Sequence, residues 1–435
     1  MKVTVSKRIP NLNFIKILSN QWVVIKPNLV KESKETDPNE WESVITSSLL
    51  IKNVSEYVCQ QLQGTGKVTI CDAPQTDSSF TKIADKLGLF EMAKELTSNY
   101  GTKVEIVDLR NEEWTNDGGV ITKREKLKGD PNGAIAFNLG KKSLFYKHPG
   151  EGRFYGADYD YKTLNKHHNG EIQEYLICAT PIFADVFICL PKLKTHKKTG
   201  VTLSLKNLVG INADKNWLPH HTFGSPAQKG DEYPDVSTKR KIEQLGSKAA
   251  KKIALSLPFL GPKIVRFLRN RGGEIFGKGN NTIRSGNWYG NNTTWRMALD
   301  LNRCLLYGNA DGTLRGENPK RYYTIVDGEI GMEGTGPMQG DPKKCGIYIS
   351  GSDPVAVDAV GATLMGFDWQ KLPVIREAFH LQELPITSCK PEDITIVSDV
   401  PEWNGSLENL QKQKHFDFEP HFGWKNNIEL PNYGS

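Results

Sequence analysis

Apolar and polar positions follow each other along the first quarter of the chain in blocks typical of strands joined by helices. Short apolar runs at 22–26, 67–71 and 103–109 have the length and β-branched content of buried strands. The stretches between them, roughly 40–62 and 79–97, have the spacing of helices. This β-α-β-α-β order predicts a parallel sheet covered by helices.

The same pattern returns after two polar interruptions. We predict a helix from Pro354 to Met365 and further strands at 186–190, 322–331, 346–350 and 393–398. The predicted fold class is α/β, with doubly wound, mostly parallel sheets in two lobes and two irregular insertions. The predicted segments are an N-terminal α/β segment (1–111), an irregular or antiparallel insertion (112–170), an α/β core (171–211), a basic insertion (212–294), a C-terminal α/β segment (295–400) and a tail without periodicity (401–435).

Polar residues follow several of these strands at the point where each strand ends. They are Asn28, Asp72, the group from Lys192 to His196, Asp327 and Asp353. In open α/β sheets, ligands bind outside the carboxyl ends of the strands. We therefore expect these residues to share one site.

The densest group of candidate residues directly follows the strand at 186–190. Lys192, Lys194 and His196 alternate, so in an extended segment they project from the same side. Two ammonium groups would lower the pKa of the imidazole and keep it neutral. We predict that Lys192, Lys194 and Lys206 hold a phosphate or carboxylate and that His196 is an acid/base. A solvated basic loop is the alternative.

Other candidates surround this group. A short helix bracketed by Gly200 and Gly210 is expected to present its N-terminus to the crevice, with Asn207 as a further contact. Asp72 is a second candidate acid or base, and with Asn28 it would orient the substrate or a divalent metal. A glycine-rich loop at 328–344 lets backbone approach a ligand, chiefly at Gly334 and Gly336. The additional candidates are Lys26, His220, Asp353 and Asp358.

Composition narrows the class of protein. Of the 435 residues, 38% are hydrophobic and 24% charged, as in ordinary globular proteins. The seven cysteines are all isolated, with no CxxC pair for zinc or for an iron–sulfur cluster. We expect reduced cysteines in a cytoplasmic protein, without a signal peptide or a membrane-spanning segment.

Positive charge is concentrated in one segment. The chain carries a net charge of +6, yet residues 239–271 alone contain ten lysines or arginines and one acidic residue. Their short apolar runs are broken by Pro258 and Pro262. The pattern is typical of a solvated helical hairpin or of a segment that lies on an anionic membrane surface. Nucleic-acid binding is not expected, because few aromatic residues lie among the cations.

Five motifs in series resemble one family. VVIKPNLV, ADVFICLPKLKTH, LKNLVG, DGEIGMEGTGP and SGSDPVAVDAVGA look like the domain of unknown function 362 family. Many members carry ferredoxin-type cysteine motifs for 4Fe–4S clusters, which this sequence lacks, so no such cluster is expected. The segment KLKTH…TGVTLSLKNLVG also resembles part of the nickel-pincer lactate racemase family. That resemblance implies an acid/base role for His196 and a contact of Lys206 with substrate or cofactor.

Three functions remain open at this stage. The first is an enzyme of the transferase or isomerase class that acts on a small phosphorylated or carboxylated substrate. The second is a non-catalytic binding or redox accessory protein that docks on a partner or a membrane through 239–271. The third is a racemase or isomerase with a nickel-type cofactor. The residues do not identify a cofactor.

Overall fold

A computed structural model describes residues 1–32, 38–117, 120–156, 160–235, 282–318 and 320–431. The predicted basic segment 239–271 lies outside the described residues. The described chain is a mixed α/β structure with a large, mostly parallel central sheet and helices packed against it.

The described strands number eighteen. They are β1 (Lys2–Ser6), β2 (Trp22–Pro27), β3 (Lys67–Asp72), β4 (Lys103–Asp108), β5 (Glu112–Asp117), β6 (Val120–Lys126), β7 (Ala134–Asn138), β8 (Phe154–Tyr155), β9 (His168–Asn169), β10 (Ile172–Cys178), β11 (Val186–Leu190), β12 (Lys192–His196), β13 (Gly200–Thr202), β14 (His221–Thr222), β15 (Arg321–Glu333), β16 (Asp341–Gly351), β17 (Thr395–Ser398) and β18 (Gly405–Ser406).

The helices of the described ranges connect and cover these strands. They are α1 (Pro38–Val44), α2 (Ser48–Leu62), α3 (Phe80–Lys86), α4 (Leu89–Tyr100), α5 (Tyr161–His167), α6 (Ala179–Phe183), α7 (Ser204–Asn207), α8 (Thr294–Tyr307), α9 (Pro354–Leu364), α10 (Pro373–His380) and α11 (Leu407–Gln411). None of them combines the length and apolar composition needed to cross a bilayer.

The central sheet has 11 strands, and its main path runs in the order β18-β17-β1-β16-β15-β11-β2-β3-β4. Strands β15, β11, β2, β3 and β4 are parallel neighbours. Strand β12 extends the sheet beside β15, and β13 pairs with β12. The parallel half therefore has β2, β3 and β11 ending at one edge.

Alternate residues of the buried strands pack into two separate hydrophobic clusters. On β2, Val23 and Ile25 pack with side chains of α2 and α4, whereas Val24 belongs to the cluster that contains α8 and α9. Because successive residues of a strand face opposite sides, the sheet is buried on both faces. This explains why its strands appear in the sequence as continuous apolar runs.

Several predicted elements are confirmed with revised ends. The helix predicted at 40–62 is divided into α1 and α2, and Ser47 caps the second of them. The helix predicted at 79–97 is divided into α3 and α4 at Gly88, whose φ of 64° ends one helix and begins the next. Within the segment 112–170, predicted as irregular or antiparallel, β5 pairs antiparallel with β6, whereas β7 pairs antiparallel with β10, which lies after that segment.

The tail is more ordered than its lack of periodicity suggested. Trp424 is fully buried and donates its indole N–H to the carbonyl of Lys197 at 2.9 Å. The carbonyl of Glu419 accepts the N–H of Gly334 at 2.7 Å. The tail thus packs against Lys197, directly after β12, and against the glycine-rich loop at 328–344.

Candidate functional site

A cavity of about 1370 Å³ lies where β2 and β3 end. This exceeds the roughly 300–1,000 Å³ of a typical small-molecule site. Its lining contains eight lysines or arginines and three acidic residues, an excess of five positive charges. Eight of the predicted site residues line it: Lys26, Asn28, Asp72, Lys194, His196, Lys206, Asn207 and His220.

One cation of the cavity is neutralised. The ammonium of Lys26 lies 2.7 Å from Oδ1 of Asp72, and both side chains are almost fully buried. The Asp72 carboxylate also accepts the backbone N–H groups of Leu29 and Ala73. A side chain at Gly210 would collide with this pair, because its Cβ would lie 1.9 Å from Oδ1 of Asp72. Asp72 is therefore placed to hold Lys26.

A continuous hydrogen-bond chain connects this pair to Lys194. Lys194 donates to Oδ1 of Asn28 at 2.7 Å, and Nδ2 of Asn28 donates to Oδ1 of Asn207 at 2.9 Å. The same oxygen of Asn207 accepts from Lys26 at 3.1 Å. Because each amide is fixed at both ends, the two lysines are held in a defined arrangement.

Two buried lysines of the cavity have no compensating carboxylate among the residues that the structure describes. Lys194 donates to Asn28 and to the carbonyl of Val44, and burial lowers its pKa well below the ordinary value. Lys206 is 8% exposed and has no hydrogen-bond or ion-pair partner among the described residues. Burial, together with the charges of Lys215 and Lys26, lowers the pKa of Lys206 from 10.5 to about 7.

His196 is held in a single tautomer. Its Nδ1 accepts the backbone N–H groups of Lys198 and Thr199, at 3.0 and 3.3 Å. The neutral ring must therefore carry its proton on Nε2. Burial lowers the pKa of His196 well below 6.5, and the charges of Lys206 and Lys197 lower it further. His196 is thus a neutral hydrogen-bond donor through Nε2.

His220 has the opposite tautomer. Its Nδ1 lies 2.9 Å from the carbonyl oxygen of Leu218, and because a carbonyl only accepts, Nδ1 must donate. Nε2 then carries the lone pair and has no partner among the described residues. Burial lowers the pKa of His220 well below 6.5, and the charges of Lys198 and Lys206 lower it further. The cavity therefore contains one neutral imidazole donor and one neutral imidazole base.

Lys192 does not line the cavity, although it alternates with Lys194 and His196. It pairs with Asp327 on the neighbouring strand β15 at 3.1 Å, with both side chains buried. The Asp327 carboxylate also accepts the N–H of Ser47, the N-cap of α2. Lys192 and Asp327 therefore connect two strands and a helix beside the cavity.

The expected helix N-terminus is not available to an anion. Helix α7 has only four residues, and the N–H groups of Ser204 and Leu205 donate to the Asp358 carboxylate at 2.8 and 2.9 Å. Burial raises the pKa of Asp358 to about 7. The carboxylate on α9 thus occupies the place expected for a ligand, and it orients the helix that carries Lys206 and Asn207.

Asp353 and the two glycines predicted as contacts, Gly334 and Gly336, are not among the residues that line the cavity. Strand β16 runs antiparallel to β15, so its carboxyl end lies at the opposite edge of the sheet from the ends of β2 and β3. Asp353 caps α9 there. Gly334 and Gly336 pack against β12, where a Cβ on Gly336 would lie 2.2 Å from the carbonyl oxygen of Thr195. Pro337 and Met338 of this loop do reach the lining.

Other lining residues were not predicted. Lys198 donates to the carbonyl of His220, and burial lowers its pKa to about 7. On another part of the lining, Tyr155 stacks on Tyr161 and on His221. The centroid of the Tyr155 ring lies 5.4 Å from the centroid of each of these rings. The dense aromatic content of 145–161 was the available signal, but pattern alone does not place an insertion over a sheet edge.

No group of three or more histidine, cysteine, aspartate or glutamate residues in the described ranges is arranged to hold a metal ion. The seven cysteines are free thiols, and five of them are buried. The described residues therefore add no further ligand to the divalent-metal site that was expected at Asn28 and Asp72.

Comparison with known proteins gives one match. The family model described as "Domain of unknown function (DUF362)" matches residues 23–128 and 120–363. Those ranges include every lysine and histidine of the cavity discussed above. No curated protein and no solved structure matches the chain.

Proposed function

Because the chain belongs to the DUF362 family, whose description assigns no activity, we propose a function from the site itself. The protein is an enzyme of the transferase or isomerase class whose small substrate carries a phosphate or carboxylate group. One observation carries the proposal: buried lysines that have no carboxylate partner in the described part of the chain share a cavity with two neutral histidines of opposite tautomer.

Anion binding follows from the energetics of the lysines. Crowding Lys194, Lys198 and Lys206 out of water costs free energy, as their lowered pKa values indicate. An anion in the cavity would offset part of that cost, because charge pairs interact strongly where water is excluded. Lys26 and Lys192 contribute less to anion binding, because carboxylates within the fold neutralise them.

Proton transfer follows from the histidines. His220 would accept a proton from the substrate at Nε2, and His196 would donate a hydrogen bond from Nε2 to oxygen that becomes negative. A neutral imidazole donor suits a developing oxyanion, since full protonation of His196 would require displacing two backbone N–H groups from Nδ1. Asp72 would position Lys26 and not transfer protons.

The proposal retains the two-lobed, doubly wound frame and a cytoplasmic location. Helix packing on both faces of the central sheet supports the former. Contact of residues 239–271 with a membrane is retained as the alternative, in which the protein docks and does not catalyse.

Native mass spectrometry of the purified chain tests the proposal first, by identifying any anionic compound that co-purifies. Calorimetry with inorganic phosphate then measures binding to the wild type, to Lys194→Met and to the control Lys52→Met, which alters an exposed pair with Glu95. We expect at least tenfold weaker binding for the Lys194 variant alone, about 1.4 kcal/mol. Equal binding by all three proteins would refute an anion site here.

Turnover of the co-purified compound separates enzyme from docking protein. His196→Gln and His220→Gln should each lower turnover by about 10²–10⁴-fold with phosphate binding retained. Unchanged turnover in both variants, combined with loss of binding to anionic vesicles after deletion of 239–271, would favour the docking alternative.

A further inference from the structure

Lys206 differs from three other lysines of this cavity. Lys26 is paired with Asp72, Lys194 donates to Asn28, and Lys198 donates to backbone carbonyls. The Lys206 amine is buried and has no such partner among the described residues. A buried amine that the fold leaves without an acceptor is available to a ligand.

The surroundings of Lys206 are those of a nucleophile. Positive neighbours and burial favour the neutral amine, which has a free lone pair. Lys206 is also close enough to His196 and His220 to lower the pKa of both rings. The imidazole base and the imidazole donor needed for addition to a carbonyl therefore line the same cavity as the amine.

The position of Lys206 is fixed by the fold. It lies on α7, whose N-terminus is held by the Asp358 carboxylate. Asn207, the next residue, bonds to both Asn28 and Lys26. The backbone that carries the amine is thus anchored on both sides, as a group that must meet a bound carbonyl requires.

We propose that Lys206 forms a Schiff base with the aldehyde or ketone of a small anionic substrate held in this cavity. The inference rests on the proposed function, because the surrounding cations select the anionic substrate. It adds the chemical class of the reacting group, a carbonyl, and a covalent intermediate.

The step balances without a further reagent. The Lys206 lone pair forms a C–N bond to the carbonyl carbon while the C=O electron pair moves to oxygen, which accepts a hydrogen bond from His196. His220 removes one proton from the nitrogen and returns it to the oxygen, giving a carbinolamine. One proton from solvent then allows the oxygen to leave as water, and the nitrogen lone pair forms the C=N bond of a cationic imine.

Reductive trapping tests this inference. The full chain is treated at pH 7 with limiting glyoxylate, an anionic aldehyde, or with propionaldehyde, a neutral one, each with cyanoborohydride. Peptide mapping then locates the reduced adducts. We expect Lys206 to be modified at least tenfold faster than the exposed lining residue Lys162, and glyoxylate to be preferred over propionaldehyde at this position. Labelling should increase as the pH rises through about 7.

Matched variants distinguish adduct formation by the Lys206 amine from the effect of its positive charge. Lys206→Arg keeps a cation, so it should retain phosphate binding and lose the adduct. Lys52→Met, a change at an exposed lysine that does not line the cavity, should retain the adduct on Lys206.

Three results would overturn part of the scheme. Intact phosphate binding with no faster labelling of Lys206 than of Lys162 would overturn the Schiff base and leave the proposed function. Fast labelling of Lys206 without a preference for glyoxylate would support the nucleophile and contradict anion selection. If phosphate does not bind and Lys206 is not labelled faster than Lys162, both proposals are overturned.

Discussion

Lys26 and Lys206 are both buried lysines of one cavity, but we expect them to have opposite effects on stability. Replacing Lys26 with Met leaves the Asp72 carboxylate buried without its cation, which should lower the free energy of unfolding by about 3–5 kcal/mol. Replacing Lys206 with Met removes a buried amine that has no partner within the described ranges and should raise the free energy of unfolding by about 1–3 kcal/mol at pH 7. Urea unfolding of both variants checks the opposite signs; a loss of stability in both would contradict the absence of a partner for Lys206.

The pH dependence of stability identifies the same amine. The pKa of Lys206 is about 7 in the folded chain and 10.5 as the ordinary value. Between these values the unfolded chain binds more protons, so the contribution of Lys206 to stability rises with pH across this window. The Lys206→Met variant should therefore gain less stability than the wild type between pH 7 and pH 10. Equal slopes for the two proteins, measured by urea unfolding, would place the folded-state pKa near its ordinary value.

At the residue scale, alternation along the sequence predicted only part of the site. It placed Lys194 and His196 on one side of an extended segment, and both line the cavity. Lys192 has the same alternation, yet Asp327 on a strand more than a hundred residues later pairs with it. Likewise, the tautomers of His196 and His220 depend on backbone groups whose positions only the folded chain defines.

At the scale of elements, a glycine allows two parts of the chain to meet. Gly210 follows α7 and lies against the Lys26–Asp72 pair, where an added Cβ would lie 2.6 Å from the Lys26 ammonium. Gly210→Ala should therefore separate the ion pair and lower the free energy of unfolding by about 3–5 kcal/mol.

Gly316→Ala provides the matched control for this change. Nothing lies within 4 Å of a Cβ built on Gly316, so the variant should unfold within about 0.5 kcal/mol of the wild type. Thermal and urea unfolding of the two variants compare them directly. Similar stability in both would show that the close approach at Gly210 is readily relieved.

Element prediction succeeded where the pattern was local and failed where strand direction mattered. The apolar runs of β2, β3 and β11 identified buried parallel strands. The sequence could not show that β16 returns antiparallel to β15, and this reversal moves Asp353 to the opposite edge of the sheet. Nor could it show that Asp358 would take the helix N-terminus that was assigned to an anion.

At the scale of the whole molecule, the distribution of charge matters more than its total. The net charge of +6 is modest, but the cavity lining alone has an excess of five positive charges. Several of those lysines are close enough to lower one another's pKa. The central sheet brings them together from segments far apart in sequence, so we expect the cavity to respond to anions and protons as one coupled group.

This coupling predicts that anion binding takes up protons. Sulfate is a suitable probe because its charge is constant between pH 6 and pH 9. The pKa values of Lys198 and Lys206 are about 7, so at pH 8 both amines are mostly neutral, and a bound dianion favours their protonation. Sulfate affinity should therefore fall above pH 7, by up to about tenfold per pH unit for each lysine that is protonated on binding.

Calorimetry at pH 8 in two buffers of different ionisation enthalpy measures this uptake directly. The wild type should take up protons when it binds sulfate, at most two per sulfate. Lys206→Met should take up fewer, because one of the two amines is gone. The Lys52→Met protein should match the wild type, since its pair with Glu95 is exposed. Sulfate binding with no proton uptake at pH 8 would mean that these lysines are already charged without a ligand. In that case burial would not make these lysines responsive to an anion, and it would not leave the Lys206 amine neutral and free to react.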